Sequence, residues 1–226
     1  MKGTGTGLLS RALSLVWPRL CADCEGEIDT PRAFCARCEA ALEWIAPPAC
    51  PRCGAWTLDG RCGECPGKDF LFAGAVALGR YEGRLRDAVL RLKFRGARHL
   101  ADDFGRRVAE RLPRRFDGVL AVPLAGWKLF SRGYNASELL AERAAAHAKL
   151  PYLRGALRKV RRTRPQAKLS LEERRRNPRG AFRARRVSGA LLLVDDVLTT
   201  GATANACVEA LRTAGASEVH VAVVGR

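Results

Sequence analysis

No apolar run in this sequence approaches the roughly 18 consecutive residues that a membrane-spanning helix needs, so that architecture is excluded. The opening stretch lacks a small-residue cleavage site. It has a single early Lys2, and its apolar segment 8–17 is broken by Arg11. It reads as an amphipathic lead into the first cysteines rather than a signal peptide, and a cytoplasmic location is the expectation. Histidine is scarce: His99, His147 and His220 are the only three, each in a helical or strand context that suits a structural role. No general base stands out. There is also no internal repeat beyond a set of cysteine pairs.

Acid is in short supply too, with 23 Asp and Glu against 40 Lys and Arg and a net charge of +17. The imbalance is uneven. Residues 1–70 hold 8 bases and 9 acids, whereas residues 71–226 hold 32 and 14. Within the latter, residues 154–186 carry 14 bases and 2 acids. A field of this sign attracts polyanions, whether nucleic acid or phosphates. An Arg-rich surface from a biased proteome is the alternative for the scattered charges. Only Phe182 is aromatic in the 154–186 stretch, so base stacking has little material there and backbone-phosphate contact would dominate.

Eight of the 9 cysteines fall in four Cys-x-x-Cys pairs: Cys21/Cys24, Cys35/Cys38, Cys50/Cys53 and Cys62/Cys65. A two-residue spacer lets the backbone form a knuckle that aims both thiolates at one tetrahedral Zn²⁺. Cys50-Pro-Arg-Cys53-Gly54 suits this, since Gly54 supplies a positive φ after the second sulfur. Disulfides are the rival reading, but nothing routes the chain to an oxidising compartment. Pairing in sequence order gives two all-sulfur structural sites, and an interleaved cross-brace is the alternative. Cys207 stands apart and reads as a small buried hydrophobe.

After Pro66-Gly67 the sequence alternates strand and helix patterns. Strands are expected at Phe70–Leu78, Gly118–Pro123, Ala190–Asp195 and Glu218–Val224. Helices are expected over Arg84–Phe94 (with Leu85, Ala88, Val89 and Leu92 facing inward), His99–Leu112, Asn135 to about Lys149, and Ala202–Ala214. This order predicts an α/β domain over 69–226, a mostly parallel sheet flanked by helices, preceded by a small cysteine module over 1–68.

In such sheets ligands bind beyond the carboxyl ends of the strands. The apolar run Leu191–Val194 delivers Asp195 and Asp196 to such an end. Thr199-Thr200-Gly201-Ala202-Thr203 then turns tightly into a helix, pointing N–H groups and hydroxyls at one centre. Two acids for a diol and a seat for a phosphate describe a ribose 5-phosphate. An ordinary strand-to-helix turn with capping threonines is the bland alternative.

Leu192-Leu-Val-Asp-Asp-Val-Leu-Thr-Thr-Gly-Ala-Thr203 resembles the loop of type I phosphoribosyltransferases that binds 5-phosphoribosyl-1-pyrophosphate (PRPP). The wider layout is similar to the ComF family, GntX-like proteins included: a double zinc ribbon followed by a type I phosphoribosyltransferase-like domain. Arg91-Leu-Lys-Phe-Arg-Gly96, Ala121-Val-Pro-Leu124, Ser131-Arg-Gly-Tyr-Asn135, Arg162-Thr-Arg-Pro-Gln-Ala-Lys-Leu-Ser170, Glu173-Arg174 and Asn177 to Phe182 extend the match over nearly the whole chain. The resemblance implies Asp195 and Asp196 on the ribose hydroxyls and Thr199, Thr200, Gly201, Ala202 and Thr203 around the 5-phosphate. Leu124 and Ala125 would lie at the pyrophosphate, with Mg²⁺ bridging ligand oxygens. Arg164 and Lys168 would sit on a loop closing over the leaving pyrophosphate, and Ser170-Leu-Glu-Glu173 would start a helix anchoring it. One departure is that residues 125–128 read Ala-Gly-Trp-Lys where many relatives carry a basic run.

For function, the resemblance implies natural transformation, with single-stranded DNA and a competence helicase as partners. Pentosyl transfer from PRPP to an unknown acceptor is the enzymatic alternative, and an inactive fold kept as a binding platform is a third. PRPP as a regulatory ligand would reconcile the first two.

Overall fold

The computed structural model describes residues 20–28, 32–161, 178 and 180–226. Arg164, Lys168, the helix expected from Ser170 and the lead before Leu20 lie outside the described residues. Chain contacts group into two compact units, Met1–Leu42 and Glu43–Arg226.

In the first unit Leu20 bridges Glu27 antiparallel. The Cys21 N–H donates to the Gly26 carbonyl at 2.8 Å, and the Ala22 N–H to the Ala33 carbonyl at 2.8 Å. A single turn-and-a-half helix, α1 (Ala36–Ala40), turns Cys38 inward. Phe34 and Leu42 are the only large apolar side chains buried here among the described residues. Among the described residues this core is small, and a metal held by the cysteines would add folding free energy to it.

The second unit is built on four parallel strands in the order β1 (Ala75–Gly79), β6 (Ala216–Gly225), β5 (Gly189–Val197), β2 (Gly118–Ala121). Residues Ala190 to Val194 of β5 are buried without a break. A strand covered on both faces reads as a continuous apolar run, which is why alternation is missing there. Helices α2 (Gly83–Phe94), α3 (Leu100–Glu110), α5 (Ala136–Ala148) and α6 (Ala202–Thr213) supply the cover. Their inward faces match the expected spacing: α2 buries Leu85, Ala88, Val89 and Leu92. α3 packs on α5, α5 on β2 and β5, and α6 on β6.

The second cysteine quartet belongs to this larger unit. Cys50, Cys53 and Ala55 share one buried cluster with Phe70, Phe72 and the strand residues Leu191, Leu193, Val221 and Val223. The Ile45 N–H donates to the Leu78 carbonyl at 2.9 Å and the Ala75 N–H to the Pro51 carbonyl at 3.1 Å. The expected division at residues 68/69 follows the cysteine motif, whereas packing divides the chain after Leu42.

Three local expectations are corrected. The strand expected from Phe70 begins only at Ala75. The Phe70 and Phe72 carbonyls are taken by the Arg52 guanidinium instead of a ladder neighbour. A short helix, α4 (Gly126–Arg132), follows β2 where no element was expected. A two-stranded antiparallel hairpin, β3 (Leu157–Lys159) with β4 (Phe182–Ala184), was missed as well. Segments of three to seven residues are too short for periodicity to register.

Candidate functional site

Asp195 and Asp196 stand at the carboxyl end of β5, next to the end of β2, where the Val122 N–H still donates to the Val194 carbonyl at 2.9 Å. The two acids have different partners. The Ser137 hydroxyl donates to Asp195 Oδ1 at 2.8 Å, and the Asp196 backbone N–H donates to the same oxygen at 2.9 Å. Lys93, from the last turn of α2, places Nζ 2.8 Å from Asp196 Oδ1. Both members of that pair are mostly shielded, at 17% and 16% side-chain exposure, so the attraction is weakly screened.

Burial pushes the Asp195 carboxyl up to about 7, and the neighbouring Asp196 charge adds to the rise. Ser137 and Lys93 oppose it without cancelling it. A proton or a cation at this pair would relieve the repulsion between the two acids.

Asn135 fixes the opposite wall. Its side-chain oxygen caps α5 by accepting from the Ser137 N–H at 3.2 Å, and its amide nitrogen donates to the Val122 carbonyl at 3.0 Å. The helix expected to start at Asn135 does start there, with Asn135 as its N-cap. Its further use, aiming Ser137 at Asp195, is a tertiary fact. Asp195, Asp196, Lys93, Ser137, Asn135 and Leu124 line one cavity of about 380 Å³ with Tyr81 and Phe94 at its wall. Ala125 is the residue before α4. None of the three histidines lines this cavity. His147 faces Asp102 at 3.1 Å and His220 faces Glu218 at 2.7 Å, which are structural pairings.

The Thr199–Thr203 turn leads into α6 through Gly201 at φ 79°. A Cβ there would come within 2.6 Å of the Phe70 ring, so backbone conformation and packing both demand glycine. Thr200 Oγ1 accepts from the Ala202 N–H at 3.4 Å. Thr200 and Ala202 line a separate cavity of about 400 Å³ with Lys68, Asp69, Leu71 and Asn205. The acids and Leu124 thus converge in one space, while Thr200 and Ala202 border another. Lys93, Ser137, Tyr81 and Phe94 were not singled out from the sequence. Lys93 falls within Arg91–Gly96, and the family resemblance of that stretch is the sequence signal that points to it.

The cysteines form two quartets in sequence order: Cys21, Cys24, Cys35 and Cys38, then Cys50, Cys53, Cys62 and Cys65, with the sulfurs of each set within 4.8 Å of one another. Sulfur separations are 3.8 Å for Cys24–Cys35, 3.5 Å for Cys53–Cys62 and 3.7 Å for Cys50–Cys65. A tetrahedron of sulfurs about 2.3 Å from Zn²⁺ has edges of about 3.8 Å, so both sets fit that ion. Backbone amides support the sulfurs, as a thiolate site requires. The Cys35 N–H donates to Cys21 Sγ at 3.3 Å. The Gly26 amide, followed by neighbouring thiols, lowers the Cys24 thiol to about 6. Gly54 sits at φ 74°, as the second knuckle demands. Cys207 is fully buried inside α6 and takes no part.

Two Cys₄ sets in a chain that also carries a parallel α/β sheet, with an acid pair and a Thr-Thr-Gly turn at one strand end, define the class: a double zinc ribbon with an α/β domain of parallel strands. Known proteins agree. A family model for a double zinc ribbon domain matches residues 12–66. Competence protein F of Haemophilus influenzae is 29% identical over 224 residues, covering 89% of this chain and 94% of that protein. The DNA utilization protein YhgH of Salmonella typhi is 30% identical over 220 residues, covering 92% and 96%. Competence protein ComFC of Streptococcus pneumoniae is 29% identical over 191 residues, covering 82% and 84%. The chain belongs to this family of competence protein F and DNA utilization proteins. Among solved structures, a glutamine PRPP amidotransferase from B. subtilis complexed with ADP and GMP aligns at 23% identity and a TM-score of 0.43, over 60% of this chain and 30% of that one. This chain therefore matches less than a third of that enzyme's length.

Proposed function

We propose that the chain binds PRPP with Mg²⁺ at the ends of β5 and β2 and acts in DNA uptake or utilisation, a reading supported by relatives named for competence and for DNA utilization. The observation that carries the ligand is the Asp195/Asp196 pair in the cavity with Lys93 and Ser137. Vicinal hydroxyls donate hydrogen bonds, and adjacent carboxylates at a strand end accept them. The turn at Thr199–Thr203, at the N-terminus of α6, offers backbone N–H groups to the 5-phosphate. Mg²⁺ would neutralise pyrophosphate oxygens. Calorimetry with PRPP and Mg²⁺ tests the assignment, and binding that survives Asp195→Asn combined with Asp196→Asn would overturn it.

A specific feature favours single-stranded DNA as a partner. In the β3–β4 hairpin Arg158 lies directly across from Arg183, and both are exposed. Like charges opposed on one face of a sheet repel, and a phosphate backbone lying over them removes the cost. Arg154, Arg161, Arg185 and Arg186 extend the same exposed basic run. Arg164 and Lys168 continue it in sequence, beyond the described residues. Pentosyl transfer to an acceptor is decided by one assay, pyrophosphate release from PRPP, with Arg164 and Lys168 as the side chains to neutralise the leaving group.

A further inference from the structure

Three independent links run from the second cysteine quartet to the Thr199–Thr203 turn. The first is Arg226. Its side chain is only 4% exposed, and it donates from Nε to the Cys53 carbonyl at 3.2 Å and from Nη1 to the Leu198 and Thr199 carbonyls, both at 2.9 Å. Its Nη2 stands 3.5 Å from the carboxylate of Glu64, the residue just before Cys65. One buried guanidinium therefore joins both knuckles of the quartet to the entry of the turn.

The second link passes through Arg52, between Cys50 and Cys53. It holds the Phe70 and Phe72 carbonyls, and the Phe70 ring lies against Gly201. The third is Asn205 in the first turn of α6. Its side chain accepts from the Leu71 N–H at 2.9 Å and donates to the Asp69 carbonyl at 2.6 Å, four residues past Cys65.

We propose that the metal of the second quartet is a structural cofactor of the ribose-phosphate site, with Arg226 as the positioning residue between them. The inference rests on the phosphate reading of the Thr199–Thr203 turn given above. A tetrathiolate site is folded when metal is bound and loose when it is not, which makes it a two-state element. Loosening it frees the Cys53 carbonyl and Glu64, and Arg226 then loses its fixed place. The Leu198 and Thr199 carbonyls lose their donor, and the amides of the turn lose their common aim. A phosphate bound by preorganised N–H groups is held more weakly when those groups must first be ordered. Linkage makes the coupling reciprocal: ribose 5-phosphate should raise the zinc affinity of this quartet by the same factor.

The test uses the full chain and ribose 5-phosphate as the probe. Arg226→Ala should keep both zinc ions yet lose about tenfold or more in affinity, within the usual range of coupling between sites. Cys62→Ser combined with Cys65→Ser should lose one zinc and show the same weakening. In both, hydrogen exchange at the amides of residues 199–203 should accelerate. Arg115→Ala, a charge-matched change at an exposed arginine, should do neither. Unchanged affinity and unchanged exchange in Arg226→Ala would overturn the proposal. If the unaltered chain binds no ribose 5-phosphate, the ligand reading fails. Exchange at 199–203 before and after zinc chelation then still decides whether the quartet controls the turn.

Discussion

Lys93 Nζ lies 2.8 Å from Asp196 Oδ1, while Asp195, one residue earlier, turns to the Ser137 hydroxyl. The two adjacent acids therefore have different direct partners. Asp195 is raised by burial and by its neighbour's charge, and the Lys93 charge opposes that rise.

Lys93→Met should show this division. Removing the ammonium takes from Asp196 the cation 2.8 Å away, and unfolding free energy at pH 8 should fall by about 2 kcal/mol, below the full cost of breaking a buried pair because both groups keep some solvent. The pH midpoint for ribose 5-phosphate binding should rise, since the Lys93 charge lowers the Asp195 carboxyl. Denaturant melts and a calorimetric pH series check both outcomes.

The pH dependence of the unaltered chain has a definite sign. Asp195 is raised from 3.8 to about 7 in the folded state, so the folded chain holds an extra proton between those values. Its contribution to stability is complete below the lower value and disappears as pH rises through the upper one. Diol binding needs the ionised form, so affinity should climb from pH 6 to 8 and then level off. Asp195→Asn should abolish the slope and raise the melting midpoint at pH 8 by about 2–4 °C. Scanning calorimetry at pH 5 and pH 8 separates the two effects.

Asp103 is the most committed charge away from the site. It is 2% exposed and accepts from Arg106 at 2.7 Å and Arg107 at 2.8 Å. Asp103→Ala would remove the buried carboxylate that Arg106 and Arg107 share and leave Arg106 with Glu110, so a loss of about 3 kcal/mol, the low end for a broken buried pair, is expected. A chevron or equilibrium urea titration measures it. A change under 1 kcal/mol would mean that water replaces the carboxylate (about one hydrogen bond's worth).

The arginine pair on the hairpin should have opposite effects on folding and binding. Arg158→Ala removes the repulsion with Arg183 and should stabilise the chain by about 0.2–1 kcal/mol. Affinity for an unstructured oligonucleotide should fall at the same time. Replacing both arginines should reduce the slope of log affinity against log salt by about 1.4, the value for two phosphate contacts on a single strand. A salt slope identical to that of the unaltered chain would place the DNA elsewhere.

Much of this protein was written in short stretches of sequence. Cysteine spacing fixed the four Cys-x-x-Cys pairs because each knuckle closes over two intervening residues, while their grouping into quartets in sequence order came from the fold. The run from Leu191 to Thr203 carried the strand, its acids and its turn because proximity in the chain makes proximity in space. The inward face of α2 followed from helical spacing. What the tertiary structure alone decided was which distant side chains meet these stretches. Lys93 reaches Asp196, Ser137 reaches Asp195, and Arg226 reaches the turn because parallel strands bring their carboxyl ends to one edge. Folding also assigned the second quartet to the α/β unit, through the burial of Cys53, Phe70 and Phe72 in one core. No local pattern encodes such meetings, since they depend on the order of strands in the sheet rather than on the order of residues in the chain.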